Sequence, residues 1–209
     1  MMITGREPKP QRPVFVRQAL FERNRMLYLE GNYDQSQGLG YGGNDPSLPF
    51  FWATSPRAVI DQILYLETQN REPIRIIIDH PGGFIKAFFN LHDVIMAARS
   101  PVYTIAMGLV SSSAVSVLSA GKKRFIFPNS QTMVHMAKTT SRGDEKEIDK
   151  QRKEFLKIQQ QYISILSRGT DKSQEEIKEA MEEETWMNAE ESKNFGLVDH
   201  IIESLGDID

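Results

Sequence analysis

An α/β fold with a mostly parallel sheet is what this 209-residue sequence predicts. Three observations carry that expectation. Short β-branched runs alternate with stretches of helical length, which is the pattern of βαβ crossovers. The run Ile74 to Ile78 reads IRIII and is broken by Pro81-Gly82-Gly83, a strand leading into a turn. A long charged stretch, from Asp144 to about Arg168, carries Ile148, Phe155, Ile158, Tyr162, Ile165 and Leu166 as an apolar stripe at helical spacing.

The elements follow in order. The first thirteen residues are polar and hold three prolines, so they read as an extended arm, taken to reach residue 26. Leu27-Tyr28-Leu29 is a short strand ending at Gly31. From 31 to 54, Gly38, Gly40, Gly42 and Gly43 precede the apolar cluster Leu48-Pro49-Phe50-Phe51-Trp52. Glycine this dense favours a loop, which its aromatics would pin to a surface or a partner. Ser55-Pro56 reads as an N-cap with proline at the first helical position, and Val59, Ile60, Ile63, Leu64 and Leu66 give the following helix its apolar face, to about Gln69. After the strand at 74–78 come a helix from Ala87 to Ala98, a strand from Val102 to Ala106 and a helix from Ser112 to Ala120. Arg124 to Phe127 and Thr132 to Met136 are short strands parted by Pro128-Asn129. At 1.5 Å per residue the helix opening at Asp144 spans close to ~37 Å, more than a small α/β layer covers, so part of it should project or pack on another subunit. Ser173 with Glu176, and Asn188 with Glu191, have the capping-box spacing and each opens a further helix, the second stopping at Gly196. Leu197 to Ile202 reads as a closing strand, and 203–209 as a tail.

Composition narrows the function. Hydrophobic residues make up 40%, with 14 glycines besides, which places the chain in the globular range and outside the disordered one. A net charge of −3 lacks the basic surplus of a nucleic-acid binder. With no cysteine there is no disulfide, thiolate metal site or cysteine nucleophile, a composition compatible with a reducing cytoplasm. The opening MMITGREPKPQRP has charges and prolines where a signal peptide needs an apolar stretch. Pro101 to Gly121 carries no charge, but its five serines and flanking strand and turn signals make it a buried strand–turn–helix rather than a membrane span. No metal-ligand spacing, phosphate-binding loop or dinucleotide fingerprint is present, so no cofactor or metal is implied.

Two strand-to-helix turns could carry chemistry, because ligands of parallel sheets sit at the carboxyl edge. In Pro81-Gly82-Gly83, two glycines let backbone N–H groups face a ligand closely, as in an oxyanion hole. In Gly108-Leu109-Val110-Ser111-Ser112-Ser113, a serine at a strand–helix elbow would be exposed near a helix N-terminus, as nucleophilic serines are. The turn alone does not choose among the three serines, and a helix cap is the plainer role for any of them. A serine nucleophile needs a base, and His80, His92, His135 and His200 are the candidates. His135 lies one strand–turn–strand unit beyond the serines. Spacing does not choose the orienting carboxylate among 28 acidic residues.

Taken together, these motifs resemble the proteolytic subunit of the Clp protease, over about Leu27 to Ile202 with 31–54 excluded. The anchors are Pro81-Gly82-Gly83, Gly108 four residues before Ser112, Ala120-Gly121, Pro128-Asn129-Ser130 followed by Met133-Val134-His135, and Phe195-Gly196-Leu197-Val198-Asp199. The resemblance implies the spiral of ββα units that this family shares with crotonases, with a projecting handle helix at about 144–169. It implies Ser112 as nucleophile, His135 as base, and the backbone N–H groups of Gly83 and Ser113 as oxyanion hole. It implies a cytoplasmic serine endopeptidase that cuts unfolded polypeptides within seven-membered rings, two of them stacked through their handles. A Clp-type AAA+ ATPase would feed it, or a related Clp subunit would share its ring.

Three departures from the family pattern matter. The third triad residue is normally Asp, and here the position falls on Glu184 in Glu183-Glu184-Thr185-Trp186-Met187-Asn188-Ala189, one methylene longer. Ser-His-Glu triads exist, but catalysis is sensitive to shifts of about 1 Å, so weaker or conditional activity is expected. The arginine that helps join the two rings is replaced by Glu183. The strand before Pro81 has none of the aromatics of the family's ATPase-docking surface. A weakly active or inactive structural subunit of such a ring is therefore the alternative, and a crotonase-like acyl-CoA enzyme a remote one.

Overall fold

The computed structural model describes residues 16–31 and 54–208; the first part of the arm and most of the 31–54 insertion lie outside the described residues. Seven strands form one sheet: β1 (Met26–Glu30), β2 (Ile74–His80), β3 (Val102–Ser111), β4 (Lys123–Ile126), β5 (Gln131–Val134), β6 (Thr185–Met187) and β7 (His200–Ile201). The order is β1-β2-β3-β4-β7, with β5 on the far end of β3 and β6 beyond it. All these pairs are parallel except β5 with β6. Crossovers run through α2 (Pro56–Gln69), α3 (Ile85–Ala97) and α4 (Ala114–Leu118).

Both faces of the sheet are covered, which explains the apolar stretch Ile76 to Ile78 of β2, where neighbours on opposite faces are both buried. Ile74, Ile76 and Ile78 enter the main core with Val59, Ile63, Phe88 and Leu91, whereas Ile77 turns to a smaller core with Met26, Ile105, Phe125 and Ile202. Pro101 to Gly121 is the predicted buried strand–turn–helix. Among the described residues no helix is long and apolar enough to cross a membrane.

Cap chemistry holds where the sequence indicated it. Ser55 accepts the Ala58 N–H, and Ser173 with Glu176 and Asn188 with Glu191 form complete capping boxes on α6 (Gln174–Glu182) and α7 (Ala189–Phe195). Gly196 ends α7 at φ 92, a left-handed turn that suits glycine.

Several elements differ from expectation, among them the closing strand, which is only His200–Ile201, and the tail, where Leu205–Ile208 forms a 3₁₀ turn that buries Ile208. Val16–Asn24 is a helix, α1, where an arm was expected; its weak amphipathy hides it, and only Phe21 is buried along it. β3 runs on to Ser111 instead of ending at Ala106. Its pairing with β2 slips between Ile78 and His80, and the slack is held by Asp79, whose carboxylate accepts the Leu109 N–H at 3.0 Å. Gly108 in this bulge has φ 70, and a Cβ there would lie 2.7 Å from the Asp79 carboxylate. β6 was not foreseen, since three residues give no readable period.

The long helix, α5, spans Glu145–Gly169. Its buried residues, Tyr162, Ile163, Ile165 and Leu166, all lie toward its C-terminal end, while Ile148 and Leu156 are 40% and 52% exposed. Only that end packs on the core, and the rest projects.

Candidate active site

The sheet brings together residues that are far apart in sequence. β5 pairs with the last residues of β3, so Ser111 faces Met133, and the Ser112 N–H donates to the Met133 carbonyl at 2.9 Å. His135, expected within the strand, follows just after it. There its Nε2 lies 2.8 Å from Ser112 Oγ. β6 runs antiparallel to β5, with Val134 opposite Thr185, so the next position of that ladder sets His135 against Glu184.

The three serines separate by their partners. Ser111 Oγ donates to the Pro81 carbonyl at 2.8 Å, and Ser113 Oγ bonds Gly83, so both tie the elbow to the Pro81-Gly82-Gly83 turn. Ser112 alone has its hydroxyl against a histidine. It adopts φ 55, the left-handed region disfavoured for a residue with a side chain, which turns a strand sharply into a helix. Its carbonyl is held twice, by the Val115 N–H at 3.0 Å and by the Tyr162 hydroxyl at 2.6 Å. Tyr162 comes from the buried end of α5 and is 1% exposed, so the projecting helix is bonded directly to this elbow. The apolar stripe marked Tyr162 as core; nothing in it marked the hydroxyl.

The other histidines have different roles. His80 is buried, accepts the Gly82 N–H on Nδ1 at 2.9 Å, and is pushed down to about 4 chiefly by burial. It shapes the glycine turn. His92 bonds the Ser116 carbonyl at 2.8 Å, and His200 packs beside Phe125.

The link from His135 to Glu184 is looser. Nδ1 is buried without a hydrogen-bond partner, and the nearest Glu184 oxygen is 3.9 Å away. That is too long for a hydrogen bond. The same oxygen lies 3.2 Å from Lys138 Nζ. Glu184 is exposed and sits at φ 54 in the turn before β6. A more distant Lys138, or a closing of this turn, would let the carboxylate reach Nδ1; such bonds commonly tighten when substrate binds. Lys138 carried no signal in the sequence, being one of many surface lysines.

Burial, and after it the Lys138 ammonium, holds the His135 imidazole below its ordinary value of 6.5, against the opposing effect of Glu184. A general base acts unprotonated, so in that role the lowered value would extend activity toward acid pH. The acid limb of kcat/KM should fall below pH 6.5, and Lys138→Met should move it upward by removing a positive neighbour. Profiles of both proteins check this; a limb that stays in place in the variant would contradict it.

A cleft of about 530 Å³ opens beside the pair, lined by Phe84, Ile85, Phe155 and Ile158 together with Lys138 and Thr139. A cleft of equal volume between α2 and α3, lined by Glu67, Arg71 and Arg99, holds neither serine nor histidine, so size does not mark the site. The first cleft offers apolar surface for a side chain beside a half-buried hydroxyl and a histidine. That is the equipment of acyl transfer through a serine. Among the described residues no group of histidine and carboxylate side chains could hold a metal ion.

Known proteins carry the same pattern. Residues 53–205 match the family model described as Clp protease. Over 154 residues the chain is 35% identical to ATP-dependent Clp protease proteolytic subunit 1 of Chlamydia abortus, covering 71% of this chain and 80% of that protein. It is 34% identical to the ATP-dependent Clp protease proteolytic subunit of Deinococcus radiodurans, over 70% of this chain and 73% of that one. The corresponding subunit of Carsonella ruddii is 30% identical, over 71% and 78%. With a parallel α/β core, a serine elbow against a histidine and this match over most of its length, the chain belongs to the Clp protease family.

Proposed function

We propose that the protein is a serine endopeptidase that cuts unfolded polypeptides inside a ring chamber. The observation that carries this is the 2.8 Å contact of His135 Nε2 with Ser112 Oγ at a left-handed elbow. Ser112 Oγ attacks the peptide carbonyl while its proton passes to His135. The resulting oxyanion is held by the N–H groups of Gly83 and Ser113. His135 then returns the proton to the leaving amine, and water repeats the sequence on the acyl-enzyme. Glu184 orients His135 and stabilises the imidazolium once it reaches Nδ1.

The projecting half of α5 supports assembly into rings that meet through these helices. Exposed Ile148 and Leu156 give it apolar surface for a second copy. Seven subunits in a ring, two rings face to face, and feeding by a Clp-type AAA+ ATPase or sharing with a related Clp subunit complete the reading. A chain without cysteine suits the cytoplasm.

The test is to fractionate the purified protein by mass and supply each fraction with a permanently denatured polypeptide. Short internal peptides should form in the assembled fraction only. Cleavage confined to chain ends, or equal in monomer and assembly, would overturn the reading.

The alternative, a structural subunit of low activity, is favoured by one observation: the 3.9 Å gap between Glu184 and His135. It predicts activity only in mixed rings.

A further inference from the structure

We propose that the Ser113 side chain is the resting occupant of the oxyanion hole, which each substrate carbonyl must displace. The inference rests on the peptidase reading above and concerns the hydroxyl of Ser113, not its backbone. Ser113 Oγ accepts the Gly83 N–H at 2.9 Å and donates to the Gly83 carbonyl at 3.2 Å. An oxyanion needs its donors within about 2.7–3.1 Å, so the hydroxyl stands, as far as Gly83 is concerned, where the substrate oxygen has to sit. One N–H has one proton and makes one good hydrogen bond.

Two further features set this contact apart from ordinary capping. Ser113 precedes α4 at its N-cap position, yet its hydroxyl makes no cap bond to that helix. Both ends of the hydroxyl serve a single residue, Gly83, which has φ 148. The side chain is 2% exposed, so water does not compete for it. The contact keeps the Gly83 peptide in a fixed orientation between turnovers. When a substrate oxygen takes the N–H, Ser113 Oγ can retain its donor bond to the Gly83 carbonyl, which lowers the cost of displacement without removing it.

Releasing the donor should therefore raise the rate. Ser113→Ala removes the competing oxygen, and Ser113→Cys replaces it with an isosteric but weak acceptor. For cleavage of a fluorogenic peptide by the assembled protein, kcat/KM should rise about threefold to tenfold in Ser113→Ala, the size of one neutral hydrogen bond, and less in Ser113→Cys. A peptide boronic acid adds to Ser112 Oγ, forming an O–B bond as the proton passes to His135, and leaves a boron-bound oxygen in the hole. Its affinity should rise in step, whereas a non-covalent product peptide should bind unchanged. A purely structural serine would not produce a gain. Slower cleavage in both variants would overturn the proposal and make the hydroxyl a third donor to the oxyanion; unchanged rates would also overturn it. A wild-type protein that neither cleaves the peptide nor binds the boronate would instead overturn the peptidase reading, and this inference with it.

Discussion

Ser112→Ala is expected to abolish peptide cleavage, with a loss on the order of 10⁴-fold or more, and to leave assembly intact. Alanine keeps the Cβ that packs against Gly82 and removes only the hydroxyl bonded to His135, so the nucleophile is lost without opening the core. The Ser112 backbone, by contrast, is bonded on both sides, to Met133 and to Val115 and Tyr162. Alanine keeps those bonds. His135→Ala should cost a similar factor, because serine without a base is a poor nucleophile. The two losses should not add, since either removal disables the same step. Glu184→Gln should cost much less, because no hydrogen bond links Glu184 to Nδ1 in the resting site. The measurement is turnover of a peptide substrate with sedimentation of each variant. Undiminished cleavage by Ser112→Ala would remove the assignment; a Glu184→Gln loss as large as that of His135→Ala would contradict the loose resting link and mean that the carboxylate holds Nδ1 before substrate binds.

Gly82→Ala should damage both fold and activity. Gly82 has φ 94, and an added Cβ would lie 2.6 Å from the Ser112 Cβ and 2.9 Å from the Ser111 carbonyl oxygen. Neither atom is the far end of a flexible side chain. Relief requires the glycine turn to part from the serine elbow, which also carries the Gly82 N–H away from His80. Left-handed backbone at alanine alone costs roughly 1–2 kcal/mol. A shift near 1 Å between nucleophile and oxyanion donors can cost about 100-fold in rate. We expect a lower melting temperature together with that loss. Gly83→Ala is the control for strain without collision, since among the described residues its added Cβ would meet only Phe88, at 3.7 Å. Equal stability and activity of Gly82→Ala and the wild type would contradict the close packing of the two turns.

Much of this fold was legible before any coordinates, for physical reasons that differ by element. The β2 run was readable because a strand buried on both faces draws β-branched residues at consecutive positions, and Ile76, Ile77 and Ile78 supply them after a single arginine. The helices opening at Ser55, Ser173 and Asn188 were readable because caps are local chemistry at fixed spacing. The extension of β3 to Ser111 was not, because it depends on a bulge held by Asp79, a residue 30 positions away. β6 was hidden by its shortness, and α1 by an apolar face with one buried residue.

The site divides in the same way. Serines at an elbow and a histidine on a nearby strand are visible as types, but choosing Ser112 among its neighbours took a family resemblance, and in the structure the three differ by what they bond. The contacts of Tyr162, Lys138 and the Ser113 hydroxyl join residues 50, 46 and 30 positions from their partners, through side chains with a plainer role in any sequence pattern. Only the folded chain brings them together.

The central claim is that Ser112 is an activated nucleophile, and the intact mass of the protein after exposure to a fluorophosphonate tests it most directly. Ser112 Oγ would displace fluoride at phosphorus, with its proton taken by His135. One adduct per chain is expected on the wild type and none on Ser112→Ala. An unmodified wild type, or an adduct that persists in the variant, would contradict it.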